Sequence, residues 1–285
     1  MTYEFIQAES ANFPVAFSCR VLDVSRSAYY AWVRGRCSHR SIEDMRLAAE
    51  VRAVHAEHAG RYGSPRVHRE LRARGCRVSR KRVARLMRTE GLCVRRRRRK
   101  RRTTDSSKTR RIAPNLLSRD FSAERANQVW VGDVTYVPVP GGFVYLAVLL
   151  DLFSRRVVGW KMSEAIDTDL VLGAMEMAVK NRRPSAGLIH HTDRDCRYAS
   201  NRYLAALKDI DARPSMSRKA DCWDNAVAES FFATLEKELL ANTSFVNADE
   251  ANTQIGEYIE GYYNVKRRHS YIDYSTPIEH ELLAA

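Results

Sequence analysis

Two periodicities divide the chain. Up to about residue 90, apolar side chains recur every three or four positions, whereas from Gln128 they alternate or run together in short stretches. In the first part, residues 15–34 read as helix, turn, helix. Phe17, Val21 and Leu22 are spaced as one helical face, Asp23 to Ser27 makes the turn, and Ser25 stands where an N-cap would start the second helix. Residues 42–57 carry a stripe of Ile42, Met45, Ala49, Arg52 and Ala53, and residues 65–74 form a further helix. Residues 79–89 follow, with Val83, Leu86 and Met87 inward and Arg80, Lys81, Arg82, Arg85 and Arg88 outward. Ser79 is the expected N-cap there, and Gly75 and Gly91 are the expected helix stops.

In the second part, residues 129–137 alternate and are rich in β-branched and aromatic side chains. Pro140, Gly141 and Gly142 make a turn, 143–150 reads as a buried strand, and 156–161 as a third. A helix with Thr168 as N-cap and Leu170, Val171, Ala174, Met177 and Ala178 on its apolar side comes next. Strand 187–191, helix 201–208, strand 212–217 and helix 224–240 complete the order. A three-strand meander followed by alternating helices and strands is the order of a mixed-sheet α/β domain.

Charge sharpens this division. The 285 residues hold 48 Lys+Arg against 34 Asp+Glu, a formal net charge of +14. Residues 1–118 hold 29 of the cations and 10 of the acids, so the surplus lies in that part and the remainder is net acidic. The densest point is the eight-residue run of Arg95, Arg96, Arg97, Arg98, Arg99, Lys100, Arg101 and Arg102. A solvated tail or a localisation signal would have the same composition. The run instead lies between two structured-looking regions, as a linker would, and a basic linker gains from counterion release along a phosphate backbone. A helix with one basic face after a tight turn is what a major-groove reader needs, an ordinary basic surface helix being the bland alternative. Nucleic acid is the expected partner. No apolar run approaches the roughly 18 residues of a membrane span, and the N-terminus carries acids where a secretion signal needs a basic patch. A soluble, intracellular protein is expected. Cys19, Cys37, Cys76, Cys93, Cys196 and Cys222 form no CxxC pair and read as thiols; His55 and His58 form an HxxH pair, but Cys76 and Cys93 downstream lie too far apart to act as a pair, so zinc is not expected.

The acids of the second part carry the chemistry. Asp133 falls in the middle of the first strand, where a carboxylate is costly unless compensated. Asp193 ends the fourth strand, and Glu229 lies on the long helix with 35 residues between them. Adjacent strands could set the two aspartates side by side, and a crossing helix could add the glutamate. Three oxygen donors without a cysteine suit Mg²⁺ or Mn²⁺, and two such ions serve in-line phosphoryl transfer. Asp151 reads as a turn former or a partner of Arg155 or Arg156. His190 and His191 read as structural, Asn225 as a cap or a neighbour of the glutamate, and Trp130 and Trp223 as core. Lys266, Arg267, Arg268 and His269 form a compact basic patch suited to phosphate.

Three motifs, in order and at this separation, carry a resemblance. They are Trp130-Val131-Gly132-Asp133-Val134-Thr135-Tyr136, His191-Thr192-Asp193-Arg194, and Asp224-Asn225-Ala226-Val227-Ala228-Glu229-Ser230-Phe231-Phe232. They are similar to the DDE motif of integrase-core transposases, above all the OrfB-type transposases of bacterial insertion sequences, relatives of retroviral integrases. The stretch from Cys19 to Trp32 resembles the family's N-terminal helix-turn-helix. Residues 62–67 and 79–87 resemble its second DNA-binding segment, and Tyr263 to Ser270 with Thr276-Pro277 its closing motif.

The resemblance implies a ribonuclease-H-like mixed-sheet α/β catalytic domain preceded by all-α helix-turn-helix segments. The implied division is 1–38, 39–93, a basic linker 94–118, and a catalytic domain 119–285. It implies a metal-dependent polynucleotidyl transferase in which Asp133, Asp193 and Glu229 hold Mg²⁺ or Mn²⁺, two ions in all. Water attacks a phosphodiester at the element end, and the freed 3′-hydroxyl then attacks target DNA. The implied partners are double-stranded DNA (terminal inverted repeats and target), further copies of the chain on DNA, and an upstream-frame product or fusion. The implied location is the bacterial cytoplasm, at the nucleoid. The start MTYEFIQAES and the lack of leucine heptads mark the chain, on this resemblance, as the downstream product alone. Asp195 stands where the family has a turn glycine, so it is expected to strain the backbone and to add a fourth acid, beside the cation Arg197. Glu236 stands where a basic residue is common. A catalytically weakened, DNA-binding regulatory form is therefore the runner-up.

Overall fold

The computed structural model describes residues 2–35, 39–94, 112–218 and 222–284, with the side chains of Cys222 and Trp223 excepted. The basic run Arg95 to Arg102 lies outside the described residues. The chain divides into two units, Met1–Arg95 and Arg96–Ala285.

The first unit is helical. Helices α1 (Thr2–Ala8), α2 (Val15–Val21) and α3 (Arg26–Val33) close on a small cluster of Ile6, Cys19 and Tyr29. The Ser25 hydroxyl accepts from the Ala28 amide at 3.5 Å, which starts α3 as expected. The inward face of α2 is carried by Ser18 and Cys19, so Phe17, Val21 and Leu22 are exposed, contrary to the expected stripe. Helix α4 (His39–Glu57) likewise buries Ala48, Val51 and Val54, while Ile42 and Met45 face solvent. It packs with α5 (Ser64–Ala73) and α6 (Arg80–Thr89) around Val67, Leu71, Val83, Leu86 and Met87. Ser79 caps α6, accepting from the Arg82 amide at 3.3 Å. Gly75 and Gly91 take φ of 84° and 66°. The next amides, of Cys76 and Leu92, reach back to Leu71 and Met87 at 2.9 and 2.8 Å, closing the two helices.

The second unit is built on a five-stranded sheet of order β3-β2-β1-β4-β5. Strands β1 (Val129–Val139), β2 (Gly142–Asp151) and β3 (Val157–Ser163) are the antiparallel meander that the alternation predicts. Strands β4 (Ile189–Thr192) and β5 (Arg213–Met216) add parallel to β1. Helix α7 (Thr168–Arg182) covers β2 and β3, burying Leu170, Val171, Ala174, Met175 and Ala178. Its N-cap is Asp167, whose carboxylate accepts from the Leu170 amide at 3.0 Å; Thr168 is the first helical residue, not the cap. The seam is close: a Cβ on Gly159 of β3 would stand 2.2 Å from the Ala174 carbonyl. Trp130, Ala147, Leu149 and Val158 join α7 and α8 (Asn201–Asp209) in one core. Leu146, Val148 and Leu150 are buried as well, so the middle of the sheet is covered on both faces. Helix α9 (Ala226–Glu238) packs on β1 and β2, and α10 (Ala248–Gly256) continues into a π-helical stretch, Glu257–Tyr263. Helix α11 (Pro277–Leu283) ends the described fold, started by a capping box between Thr276 and Glu279.

Candidate active site

The parallel pairing of β1 with β4 matches Val129 to Ile189, Trp130 to His190 and Val131 to His191. The pairing ends there, two residues before Asp133 on β1 and two before Asp193, which follows the end of β4. Asp133 is buried, its Oδ1 accepting from the Val134 amide at 2.8 Å. Asp193 falls one residue beyond β4 and is half-buried, its Oδ1 accepting from the Asp195 amide at 3.1 Å. Glu229, also half-buried, lies in the first turn of α9. The start of that helix is tied to β1 by Asn225, whose Nδ2 reaches the carbonyl of Gly132 at 3.5 Å, beside Asp133. The backbone thus brings the three acid-bearing elements together. Among the described residues, no three His, Cys, Asp or Glu side chains are already gathered as a cage for an ion. The three acids offer oxygen donors only, the chemistry that Mg²⁺ and Mn²⁺ prefer.

The supporting residues explain why α9 starts where it does. Asp224 is buried and accepts from Arg218 (Nε and Nη2, both 3.0 Å), from the Arg218 amide at 2.8 Å, from Asn115 Nδ2 at 2.9 Å and from Arg119 Nε at 3.3 Å. The Arg218 guanidinium above all holds its carboxyl well below the usual carboxylate range. The Asp224 carbonyl receives His191 Nε2 at 2.9 Å, which makes Nδ1 the acceptor for the Ser215 hydroxyl at 2.8 Å. His190, fully buried, shares a 2.8 Å hydrogen bond with the Tyr203 hydroxyl, and burial pushes its pKa down to about 3. Both histidines are framework, as their sequence context suggests, and His190 is neutral at physiological pH.

The structure corrects several expectations. Asp195 keeps an ordinary negative φ, so no strain arises where a glycine was expected. Its carboxylate is engaged by Arg197, whose Nε and Nη2 both donate to it, so the extra acid and the extra cation neutralise each other. Asp151 is the turn former foreseen, accepting from the amides of Asn127 (2.6 Å) and Phe153 (2.9 Å). Its cation, however, is Arg182 at 3.9 Å rather than Arg155 or Arg156. Arg267 is no surface cation. It is buried against Glu238 through bonds of 2.8–3.0 Å from Nε and Nη2, because the turn after the π-helical stretch folds it inward. Arg268 donates to the Tyr274 carbonyl at 3.0 Å, whereas Lys266 is exposed. In α6, Arg80 and Lys81 are exposed, whereas Arg82 and Arg85 bind Asp44 of α4 at 2.7 and 2.6 Å. Sequence reasoning missed Asp224 and Glu238. An Asp-Asn pair directly before a helix was the readable signal for the first; nothing local marked the second.

Family comparison places an integrase core domain at residues 123–222 and again at 210–277, and an HTH-like domain at residues 42–100. The chain is 41% identical over 259 residues to an uncharacterised 31 kDa protein of insertion element IS600 from Shigella sonnei, covering 91% of this chain and 95% of that one. It is 41% identical over 246 residues to the transposase of IS904 from Lactococcus lactis, covering 86% and 97%. It is 38% identical over 283 residues to transposase InsF of IS3A from Escherichia coli, covering 99% and 98%.

Proposed function

Because the chain belongs to the integrase-core (DDE) transposases of IS3-type bacterial insertion sequences, relatives of the retroviral integrases, we propose that it cleaves the element's ends and joins the freed 3′-hydroxyl to target DNA by two-metal phosphoryl transfer. The family makes DNA transposition its activity and a ribonuclease-H-like domain its catalytic fold. The finer reading assigns Asp133, Asp193 and Glu229 as the residues that hold Mg²⁺ or Mn²⁺. The observation that supports it is the parallel β1–β4 pairing, which ends two residues before both Asp133 and Asp193, with Asn225 at the start of α9 tied to the Gly132 carbonyl.

When bound, such ions activate the attacking oxygen and stabilise the leaving one. The chain's own residues hold the geometry. Asp133 presents its carboxylate from β1, Asp193 from the residue that follows β4, and Asp224 fixes the turn from which Glu229 projects. His190, neutral, adds no competing cation, and Arg197 keeps Asp195 occupied. That pairing removes the part of the case for a catalytically weakened regulatory form that rests on Asp195 and Arg197.

Residues 1–38 and 39–93 are the proposed DNA-gripping segments, 94–118 the basic linker and 119–285 the catalytic domain. Arg80, Lys81 and Lys266 are the exposed cations proposed to meet phosphate, with Arg95 to Arg102. The proposed partners are double-stranded element ends, target DNA, further copies of the chain, and an upstream-frame product. No helix among the described residues is long and apolar enough to cross a membrane, and a cytoplasmic location at the nucleoid is part of the same proposal.

The test incubates the full chain with labelled duplex carrying the flanking ends, in Mg²⁺ or Mn²⁺, with Asp193→Ala and a chelator alongside. Nicking and joining that both controls abolish is the expected result. An Asp193→Ala protein that still cleaves would refute the assignment.

A further inference from the structure

Asn225 stands directly before α9, four residues ahead of Glu229, and is 5% exposed. An asparagine in that place ordinarily caps its helix, its side-chain oxygen accepting from an amide of the first turn. Asn225 does not: with φ −118° and ψ 24°, it makes no side-chain cap bond. Its amide turns instead toward β1, where Nδ2 donates to the Gly132 carbonyl at 3.5 Å. Turning the amide over would set two oxygens against each other, so Nδ2 is the end on Gly132 and Oδ1 the end left over. That oxygen is enclosed and has no hydrogen-bond partner among the described residues. A buried acceptor without a donor calls for an explanation, and a bound ion is one. The amide also lies on the correct side of the sheet. Trp130 and Val134 join α7 in the core on one face, so Asp133, which alternates with them, points to the other. Helix α9 packs on β1 and β2 and contributes no side chain to the α7 core, so it covers the Asp133 face. Oδ1 is thus held next to the residue preceding Asp133 and one helical turn before Glu229. Amide oxygens, like carboxylates and water, are ligands that hard divalent cations accept.

We propose that Asn225 is a fourth oxygen donor of the cation site, its amide anchored through Nδ2 on Gly132 and its Oδ1 presented to the divalent ion. This rests on the reading of Asp133, Asp193 and Glu229 as the cation-holding set. A neutral donor adds an oxygen without adding charge to a group of three carboxylates. Leucine and aspartate separate the donor from the tether, because both lose the Nδ2 bond to Gly132 and only aspartate keeps an oxygen.

The test titrates the full-length wild type, Asn225→Leu, Asn225→Asp and Asp193→Ala with Mn²⁺, reading free Mn²⁺ by electron paramagnetic resonance. Unfolding temperatures are recorded in parallel without metal. Asn225→Leu is expected to weaken Mn²⁺ binding by about tenfold or more, the scale on which groups around a metal change its affinity. Asn225→Asp is expected to bind Mn²⁺ at least as tightly as the wild type, since it sets a charged oxygen in the same place. Without metal, Asn225→Leu is expected to unfold close to the wild-type temperature, because it gives up a long hydrogen bond and an unsatisfied oxygen together. Wild-type Mn²⁺ affinity in Asn225→Leu overturns the proposal. So does a loss in Asn225→Asp as large as that in Asn225→Leu, which would make the Gly132 tether the whole of its role. If Asn225→Leu unfolds well below the wild type without metal, Asn225→Asp decides: binding at or above wild-type strength supports the proposal, and weaker binding overturns it. If Asp193→Ala loses Mn²⁺ while Asn225→Leu does not, only the role of Asn225 fails. If wild type and Asp193→Ala bind Mn²⁺ alike, the reading of the three acids fails and takes this one with it.

Discussion

Replacing Glu238 by Gln is expected to destabilise the second unit far more than an ordinary surface charge would. Glu238 is 6% exposed and Arg267 5%, and the carboxylate takes three bonds from the guanidinium and a fourth from the Tyr258 hydroxyl at 3.0 Å. Gln keeps the volume and an acceptor for Tyr258 but leaves Arg267 charged and buried. Breaking one side of such a pair costs about 3–5 kcal/mol. For a unit of this size each kcal/mol lowers the midpoint by about 2–4 °C, so a fall of roughly 6–20 °C is expected. Thermal unfolding of the full chain followed by circular dichroism measures it. The double variant Glu238→Gln/Arg267→Met removes the stranded charge and is expected to recover most of the loss. A single variant that falls by less than about 1 kcal/mol would refute the argument. So would a double variant no better than the single, since packing rather than charge would then explain the cost.

Two further outcomes follow from the site. The Asp224 carboxyl is held below the usual range when folded, so its stabilisation is complete above the unfolded carboxylate pKa of about 3.9 and is lost as pH falls through the lower folded value. Stability measured from pH 5 downward is expected to fall more shallowly in Asp224→Asn than in the wild type, and equal slopes would contradict the ion-pair account. Arg197→Ala strands Asp195 beside Asp193 and is expected to reduce DNA cleavage by about tenfold or more, the worth of a charge-assisted bond, with recovery in Asp195→Gly/Arg197→Ala. Loss of activity that the second substitution fails to restore would show that Arg197 acts on something other than Asp195.

What was legible in the sequence was mostly local or alternating. Ser25 and Ser79 cap helices within three residues of themselves, and strands β1 to β3 follow from alternation and a Pro-Gly-Gly turn. Asp133 stood out because a carboxylate in a strand of Trp130, Val131 and Val134 needs a reason. Residues whose roles depend on distant partners were misread. Arg267 looks like a surface cation beside Lys266 and Arg268, yet its acid lies 29 positions upstream. In α4 the stripe through Ile42 and Met45 was plausible, but a 19-residue helix with several apolar positions has more than one such face, and packing against α5 and α6 selected Ala48, Val51 and Val54. Asp195 and Arg197 were read separately, and only their contact shows that one cancels the other.

The carboxylate of Asp224 ties together three stretches of chain that have no other reason to change in step. Asn115 and Arg119 precede the sheet, Arg218 follows β5, and Asp224 opens the turn into α9. Replacing Asp224 removes the shared acceptor of all three partners, so change at this position is expected to be accompanied by change at theirs. The element's descendants should therefore inherit positions 115, 119, 218 and 224 as a block. A recombinant that joins the first 120 residues of one relative to the remainder of another should fail most often where that block is split.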